Sequence, residues 1–557
     1  MARKKIKAKT RKRRISSKKS KKVRQKTLKI KSVNTKYIFI TGGMSGLGKG
    51  LITASTAKLL QTMGYNVSVI KIDPYVNVDA GTMSPFEHGE VFVTADGYES
   101  DQDLGVYERF LNKNLGRQHN ITTGKIYWQV LQKERQGKYL GKTVQIVPHI
   151  TNEIKDEIKK VALEEAADFC IIEIGGTVGD IESAPFLEAA RQLSLEENVK
   201  FIHAVYVPEL TLKEQKTKIA QHSVKKLREE GIQPDFLMTR SEKPLTEQAR
   251  NKISLFCNVK PSNIISFHYI GEIYRMPLVF YEQDFDKLLL HEFNLPEEKA
   301  NLQEWKKAIE RKEQAKKSIT IGIVGKYSKL QDSYISIQQA FKHCEYALGI
   351  AINLEWIDAE KIEQGFLLNN LQLDGILIPG GFGERGIEGK IMAIKYAREN
   401  NLPFLGLCLG FQLAAIEFAR DVLGLKEAHS TEFAKTKYPI IYLLPGQDLN
   451  KLGGTMRLGN YDCKIKKKSL AYQIYKKMFV KERHRHRYEF NNKYKKRFEK
   501  AGMLFSGISN DKYKLAETLE LKEHAFFFAT QYHAEFSSRF ERPSPVFLEF
   551  VRACERI

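Results

Sequence analysis

Long apolar runs and paired cysteines are both missing from this sequence. None of its 557 residues belongs to an apolar stretch of about 18 residues or more, which excludes a membrane-spanning helix. No apolar segment follows the basic N-terminus as it would in a secretory signal. The six cysteines are scattered and form no Cys-x-x-Cys pair, which excludes a disulfide scaffold and a cysteine-based metal site. We therefore expect a cytoplasmic protein with reduced thiols and no membrane contact.

Acidic residues are missing from residues 1–31, which hold 17 of the chain's 90 lysines and arginines. The remainder carries 73 basic and 66 acidic residues, so the net charge of +24 falls to +7 once this tail is set aside. Residues 1–35 have few large apolar groups and cannot offset their ordering entropy by burial, which predicts a disordered, solvated tail. Two alternatives stay open: an arm that binds polyanions, and an organellar transit peptide.

Short β-branched or aromatic runs alternate with longer helix-like segments in two series along the chain. This alternation is typical of parallel strands covered by helices, so we predict two α/β domains, at 36–298 and 319–557. The segment 299–318 is charged and lacks glycine and proline, which predicts a helical linker. The predicted strands are Tyr37–Thr41, Val67–Lys71, Phe169–Ile174, Ile202–Val207, Phe236–Arg240, Ile319–Val324, Ile352–Trp356, Gly375–Ile378, Phe404–Leu407 and Ala525–Gln531.

A glycine-rich loop follows the first predicted strand. From Gly43 it reads G-x-x-x-x-G-K, the P-loop pattern, in which backbone N–H groups turn toward a phosphate and Lys49 adds a charge. Gly50 stands where a P-loop has the Ser or Thr that binds Mg²⁺, so we expect carboxylates to hold the metal instead. Helix capping or pairing with lysine is the alternative role for such acids. The candidates are Asp101, Asp103 and Glu173.

Two other stretches carry groups suited to a nucleotide. Lys216-Thr217-Lys218 and Gln221 offer cations, a hydroxyl and an amide within six residues, and they suit a polyphosphate. Asp180-Ile181-Glu182 offers carboxylates that accept hydrogen bonds from a ribose or a base. Each stretch taken alone is equally typical of a solvated surface.

The segment around Cys408 predicts a thiol nucleophile. Residues 406–410 read G-x-C-x-G between a predicted strand and a helix, which is the sharp turn that exposes a nucleophile beside backbone N–H groups. Pro379–Gly383 ends another strand and offers N–H groups to an oxyanion. If the chain is extended after Gln531, His533 and Glu535 face the same side, and Glu535 orients the imidazole. A buried, unreactive cysteine is the alternative.

The run 483–487, with the sequence RHRHR, lacks a regular metal-ligand spacing and has no aromatic stacking partners. We therefore interpret it as a source of a guanidinium for a substrate that carries a carboxylate, rather than as a metal or nucleic-acid site.

Long motifs between about residues 36 and 550 resemble those of the CTP synthase family. They include KIDPYVNVDAGTMSPFEHGEVFVTADG (71–97), DLGVYERF (103–110), EIGGTVGDIES (173–183), PGGFGERG (379–386), GLCLGFQLA (406–414) and RHRHRYEFNN (483–492). The resemblance implies an amidoligase domain followed by a class I glutamine amidotransferase domain. It implies an ATP-dependent ligase that phosphorylates O4 of UTP and lets ammonia from glutamine displace the phosphate, giving CTP for pyrimidine biosynthesis.

The resemblance also implies roles for individual residues. Cys408, His533 and Glu535 are expected to form a catalytic triad, and Asp103 and Glu173 to hold Mg²⁺. Contacts to ATP are implied for Gly46, Leu47, Gly48, Lys49, Gly50, Lys71 and Asp103. Contacts to UTP or CTP are implied for Ser45, Asp180, Ile181, Glu182, Lys216, Thr217, Lys218, Gln221 and Lys252. The implied glutamine ligands are Gly381, Leu409, Gly410, Phe411, Gln412, Glu432 and Arg487.

Regulators and an assembly follow from the same resemblance, which implies GTP as an activator, CTP as a feedback inhibitor and a homotetramer. The chain departs from the family motifs at Ala80, Ile219, Ala220 and Ala534. A glutamine-dependent amidoligase with a different acceptor is the enzymatic alternative. A silent assembly protein or nucleic-acid-binding protein that uses the basic tail is the alternative from another class.

Overall fold

Buried apolar strands in the first half of the chain form a parallel sheet, as predicted. The computed structural model describes residues 34–84, 89–209, 214–326, 331–444 and 456–556, so most of the basic tail lies outside the described residues. The strands of this half are β1 Lys36–Gly42, β2 Val67–Asp73, β3 Phe92–Val93, β4 Glu99–Ser100, β5 Asn120–Thr122, β6 Phe169–Ile174, β7 Val199–Tyr206, β8 Phe236–Ser241 and β9 Ile264–His268.

Helices cover both faces of this sheet. They are α1 Lys49–Thr62, α2 Gln102–Leu111, α3 Thr123–Arg135, α4 Thr151–Glu164, α5 Ala184–Glu196, α6 Lys218–Glu229, α7 Glu247–Cys257, α8 Met276–Tyr281, α9 Phe285–Glu292 and α10 Gln303–Glu313.

The order of the strands determines which residues meet at one edge. Within the described residues the order is β5-β2-β6-β1-β7-β8-β9, and all neighbours are parallel. Glu173 of β6 lies opposite Ile40 of β1 on one side and opposite Lys71 of β2 on the other. Because the carboxyl ends of parallel strands meet at one edge, the loop after β1 lies beside Lys71 and Glu173.

The second half forms a larger sheet that is only partly parallel. Its described strands are β10 Ser318–Gly325, β11 Ala351–Asp358, β12 Gly375–Ile378, β13 Phe404–Leu407, β14 Ala428–Ser430, β15 Tyr438–Leu443, β16 Arg457–Ile465, β17 Phe479–His486, β18 Tyr488–Phe490, β19 Met503–Ser509, β20 Ala516–Leu521 and β21 Phe527–Thr530. The helices are α11 Ile335–Leu348, α12 Ala359–Glu363, α13 Ile387–Glu399, α14 Leu409–Asp421, α15 Leu470–Tyr475, α16 Lys495–Lys500 and α17 Pro545–Cys554.

The five predicted strands of this half form its parallel part, in the order β11-β10-β12-β13-β21. The sheet continues with β20, β19, β16 and β17, which are antiparallel to their neighbours and were not predicted. A smaller sheet of β14, β15 and β18 lies beside it.

The segment between the two predicted domains packs into the protein instead of bridging through solvent. Helix α10 buries Trp305 and Ile309 in the apolar core of the first half. The indole Nε1 of Trp305 donates to the carbonyl of Tyr274 at 2.6 Å. Its ring lies 3.9 Å from that of Phe540, which belongs to the second half. This helix therefore holds the two halves against each other.

Charged side chains join the two halves in a buried network. The carboxylate of Glu108 in α2 accepts hydrogen bonds from Arg483 and Arg539 of the second half, and all three side chains are buried. Asn114 accepts from both guanidinium groups, at 3.0 and 3.1 Å. Breaking a buried pair by removing one partner is expensive, so this network fixes the relative position of the halves.

Candidate active sites

Cys408 lies on a sharp turn between strand and helix, the geometry predicted from residues 406–410. It follows β13 directly and precedes α14, and its φ of 51° and ψ of −95° are strained for a residue with a side chain. Gly410 allows the helix to approach the sheet, since a Cβ there would lie 2.3 Å from the carbonyl oxygen of Ile378. The tight turn places the thiol at the N-terminal end of the helix, beside the backbone N–H groups of its first turn.

His533 and Glu535 form a buried pair beside this cysteine. Nδ1 of His533 lies 2.7 Å from Oε1 of Glu535. Burial acts to lower the pKa of His533, but the charges of Glu535 and Cys408 prevail and raise it to about 10. The extended conformation that was the condition for this pairing is absent, because Ala534–Ser537 form a 3-10 turn. The turn brings the carboxylate back toward Nδ1, so the pairing arises from a local bend.

A cavity of about 300 Å³ opens onto the thiol and the imidazole. Gly380, in the loop after β12, packs closely against both groups. A Cβ at this position would lie 2.8 Å from Cε1 of His533 and 3.5 Å from Cβ of Cys408. The wall includes the predicted Gly381, and it also includes three residues of the first half of the chain that the sequence did not indicate. These residues are Met83, Glu90 and Val91.

The other predicted glutamine ligands lie around this cavity and are not among its lining residues. Leu409, Gly410 and Phe411 are buried in the first turn of α14. Nε2 of Gln412 donates to the carbonyl of Tyr488 at 3.1 Å. Burial raises the pKa of Glu432, and this rise is opposed by a hydrogen bond from the N–H of Gly383 and by the charges of Lys326 and Arg487.

The interpretation of the RHRHR run as a guanidinium for substrate stays a prediction, since Arg485 lines the cavity at Cys408 whereas Arg483 is buried away from it. Side chains two residues apart share a face of a strand, and in β17 this face meets the first half of the chain. Arg483 pairs with Glu108, and Nε of Arg485 donates to Glu99 at 2.9 Å. Only Arg487, which lies beyond the end of β17, has an electrostatic contact with the predicted ligand Glu432.

A second cavity, of about 680 Å³, lies at the carboxyl edge of the first sheet. It brings together most of the residues predicted to bind ATP or metal, along with part of the predicted pyrimidine site. Asp73, Tyr75 and Gln102 line it as well and were not predicted. The predicted residues in its wall are Ser45, Gly46, Leu47, Gly48, Lys49, Gly50, Lys71, Asp101, Asp103, Glu173, Asp180 and Glu182.

Lys71 lies at the centre of the carboxylates in this cavity. Its Nζ pairs with Asp103 and lies 3.0 Å from Asp73 and 3.9 Å from Glu173. Burial acts to lower the pKa of Lys71, but these three carboxylates prevail and raise it well above the usual range. Burial raises the pKa of Glu173, which Lys71 opposes and Asp103 reinforces.

Lys49 faces the same cavity from the start of α1. Its Nζ donates to the carbonyl of Gly176 at 2.7 Å, and burial lowers its pKa. The cavity holds two lysines near three carboxylates, so the phosphates of a ligand would compete with these carboxylates for the lysines and would need a further cation to balance their charge.

Gly50 explains how this loop departs from the P-loop pattern. A Cβ at this position would lie 2.9 Å from Oδ1 of Asp103 and 3.6 Å from Oε2 of Glu173. The carboxylates therefore occupy the space in which a Ser or Thr hydroxyl would bind a metal. Among the described residues, no cluster of three or more His, Cys, Asp or Glu has the arrangement of a complete metal site. The donor set at hand is a pair of carboxylates that need further oxygens from a ligand.

Two residues that the sequence did not indicate hold Glu173. The phenol of Tyr107 and the hydroxyl of Thr53, at 3.2 Å, both donate to its Oε2. Tyr107 lies within DLGVYERF, one of the motifs that carry the family resemblance, but its hydrogen bond to Glu173 was not predicted. These bonds fix the carboxylate against the sheet.

The remaining predicted pyrimidine residues lie outside this cavity. Ile181 is 84% exposed, although its neighbours Asp180 and Glu182 line the cavity wall. Gln221 donates to the hydroxyl of Thr217 at 3.0 Å. Lys216 pairs with Glu214 at 2.5 Å, and Lys218 lies 5.6 Å from the ring of Phe256. Lys252 is exposed.

Comparison with known proteins gives two family models that together span most of the chain. The model of the CTP synthase N-terminus matches residues 36–295, and the model of the class I glutamine amidotransferase matches residues 329–553. The chain is 53% identical over 526 residues to a CTP synthase of Thermococcus gammatolerans, covering 93% of this chain and 98% of the relative. It is 54% identical over 528 residues to that of Pyrococcus abyssi, with 94% and 98% covered.

A bacterial relative and a solved structure extend this similarity. A CTP synthase of Bacillus subtilis is 51% identical over 527 residues, with 93% of this chain and 98% of the relative covered. The solved glutaminase domain of Trypanosoma brucei CTPS with bound acivicin is 38% identical, with a TM-score of 0.40. That match covers 43% of this chain and 94% of the solved chain.

Proposed function

Since the chain belongs to the CTP synthase family, it is a glutamine-hydrolysing ligase that makes CTP from UTP at the expense of ATP, and we propose how its two cavities divide this reaction. The cavity at Cys408 releases ammonia from glutamine. The cavity at Lys49 activates UTP and consumes the ammonia. The observation that carries the proposal is the His533–Glu535 pair at 2.7 Å beside the strained Cys408.

In the first cavity the thiolate of Cys408 attacks the carbon of the glutamine side-chain amide. The N–H groups of Gly381 and Leu409 stabilise the oxyanion that forms. His533 gives its proton to the departing nitrogen, which leaves as neutral ammonia, and a thioester remains on Cys408. Water then attacks the thioester with His533 as base, which releases glutamate. Glu535 holds the imidazole in place throughout and stabilises its charged form.

In the second cavity the loop Gly46–Gly50 binds the phosphates of ATP through its N–H groups and Lys49. Lys71 lies among the carboxylates in the cavity that the phosphate-binding loop also lines, and we propose that it stabilises the charge that develops as the phosphoryl group moves to O4 of UTP. Ammonia then attacks C4, and phosphate leaves from the same carbon. Both steps leave the glutaminase residues untouched, so external ammonia is expected to replace glutamine.

We propose that Asp103 and Glu173 hold Mg²⁺ when ATP is bound. The fit rests on two carboxylates that converge on Gly50 and on the oxygens that the phosphates would add. When bound, the ion neutralises phosphate charge during transfer. Asp103 would then be shared between Lys71 and the ion.

We propose a homotetramer that CTP inhibits at the UTP site and GTP activates. Lys216, Lys218 and Lys252 lie outside the cavity of their own protomer, and a neighbouring subunit would bring such side chains to a nucleotide there. Support comes from exposed apolar side chains on the first half, which an assembly would bury: Trp128 at 60%, Leu140 at 89% and Ile181 at 84% exposure.

Among the described residues, none of the helices is both long and apolar enough to cross a membrane.

Measuring CTP from glutamine and from ammonium, each with and without GTP, tests this function. Cys408→Ala is expected to abolish synthesis from glutamine and to retain synthesis from ammonium. Retained use of glutamine by this variant would refute the role of the thiol. The alternative acceptor predicts that UTP does not stimulate ATP hydrolysis, which the same preparation can show.

A further inference from the structure

The glutaminase cavity has a wall that belongs to the other half of the chain. Met83, Glu90 and Val91 face the cavity that Cys408 and His533 line. Glu90 is the one of these three with an ionisable side chain. Ammonia that is released at Cys408 and used in the first half of the chain has to leave the cavity toward that half. Glu90 lies on this side of the cavity, so its side chain can interact with the ammonia as it leaves.

One oxygen of the Glu90 carboxylate is anchored across the boundary between the halves. The N–H and the hydroxyl of Ser336, in the first turn of α11, both donate to Oε2, the N–H at 3.1 Å. Nη2 of Arg109 donates to the same hydroxyl at 2.8 Å. Oε1 accepts no hydrogen bond from any residue that the structure describes. The carboxylate is therefore held by one oxygen while the other can accept a bond from a small ligand.

Charged groups face Glu90 from several elements. Arg109 of α2 lies on one side, and Glu535 of the 3-10 turn lies on the other. His533, Arg485 and Lys326 line the same cavity. Burial raises the pKa of Glu90 to about 7, opposed by Ser336 and Arg109 and reinforced by Glu535. Near neutral pH the side chain thus loses its O–H donor and gains a negative charge, which leaves both of its oxygens as acceptors.

We propose that Glu90 receives the ammonia released at Cys408, through a hydrogen bond from ammonia to Oε1, and so directs it toward the first half of the chain. This inference rests on the proposed function. The carbon–nitrogen bond of glutamine breaks at Cys408, the proton of His533 goes to the nitrogen, and neutral ammonia leaves. Glu90 forms and breaks no covalent bond; it only accepts an N–H bond, which its ionised form accepts more strongly than its neutral form.

The test uses Glu90→Gln in the full chain, because the amide keeps the shape and an oxygen for Ser336 but loses the charge. The readout is the amount of CTP formed per glutamate released, measured between pH 6 and pH 8.5. Losing one hydrogen bond of ordinary strength changes such a partition about two- to tenfold, so we expect the variant to yield less CTP per glutamate at pH 8 by that factor. Glutamate release is measured in the same samples, so the ratio reports how the released ammonia is used whatever the rate of release.

The pH dependence separates a role in handling ammonia from a role in packing. In the unchanged protein, CTP per glutamate is expected to rise as the pH passes through about 7, where Glu90 loses its proton. In Glu90→Gln the ratio is expected to be independent of pH. Glu541→Gln is the matched control, since Glu541 also joins the halves, by a 2.8 Å pair with Lys58, but lies outside the cavity wall. Its ratio and pH dependence are expected to match those of the unchanged protein.

Each outcome decides between explanations. An unaltered ratio in Glu90→Gln, or an unaltered rise with pH, would overturn the inference. If Ser336→Ala, which keeps the carboxylate, loses coupling and the rise with pH to the same extent, then Glu90 only joins the two halves and the inference also fails. Failure of the unchanged protein to make CTP from ammonium would instead refute the proposed function itself.

Discussion

Replacing Gly50 with serine restores the usual P-loop residue, and we expect it to lower the synthetase activity. The Cβ of any side chain at this position would lie 2.9 Å from Oδ1 of Asp103. Ordinary contact between non-bonded heavy atoms begins at about 3.5 Å, so the carboxylate would have to retreat by about 0.6 Å. Asp103 pairs with Lys71, so this movement disturbs both groups.

Overpacking of a well-packed site costs about 1–3 kcal/mol, which corresponds to a loss of about 5- to 150-fold in kcat/KM. We expect this loss for CTP formation from glutamine and from ammonium alike, because Gly50 lines only the synthetase cavity. The rate of glutamate release in the absence of nucleotides is expected to be unchanged. The fold is expected to survive, since replacing a glycine inside α1 improves helix propensity by up to about 1 kcal/mol.

The assay is steady-state CTP formation with each nitrogen source, alongside the thermal unfolding midpoint. Gly50→Ala is the matched control, because it adds the Cβ without the hydroxyl and is expected to be as inactive as Gly50→Ser. Full activity of Gly50→Ser would contradict the steric reasoning. An active Gly50→Ala beside an inactive Gly50→Ser would assign the defect to the hydroxyl instead.

Three further changes test the other parts of the structure. Gly380→Ala would place a Cβ 2.8 Å from Cε1 of His533 and displace the imidazole. Because a misplaced catalytic group lowers the rate by up to about 100-fold, we expect glutamine-dependent CTP formation to fall by up to that factor. Ammonium-dependent formation is expected to stay unchanged. Glu535→Gln removes a carboxylate that raises the pKa of His533; the imidazolium then loses its proton at lower pH, so the alkaline limb of the glutaminase pH–rate profile should move to lower pH. Arg483→Met leaves Glu108 with one guanidinium fewer and should cost about 3–5 kcal/mol, seen as a lower unfolding midpoint. Glu541→Gln, at a partly exposed pair, should cost less than about 1 kcal/mol in the same measurement.

Features that depend on a few consecutive residues could be predicted from the sequence. The loop before Lys49 and the turn at Cys408 both arise from glycines next to a strand and a helix, so the local pattern carries the geometry. Most of the parallel strands are buried apolar runs, which β6 illustrates with six buried residues, whereas β11 is mostly not buried and β5 and β9 were not predicted. The antiparallel strands β16 and β17 mix polar with apolar residues, and this part of the second sheet was not predicted.

Features that depend on distant partners could not be predicted. Tyr107 and Glu173 are 66 positions apart, and nothing in the sequence near either residue indicates that the phenol donates a hydrogen bond to the carboxylate. The helix at 303–313 has the charge of a solvated linker, but its Trp305 and Ile309 fall on one side and are buried. Its few apolar residues were outweighed by its many charged ones in the sequence pattern.

The RHRHR run shows how strand geometry resolves what composition leaves open. Alternate residues of β17 face opposite sides, so Arg483 and Arg485 meet carboxylates of the first half while His484 turns into the second half, 3.6 Å from Glu517. The same strand therefore joins the two halves and supports the catalytic pair, since the N–H of His533 donates to the carbonyl of Arg483 at 2.8 Å. A change in how the halves meet would move Arg483 and, through it, His533. The contact between the halves and the position of His533 are therefore linked through the backbone of β17.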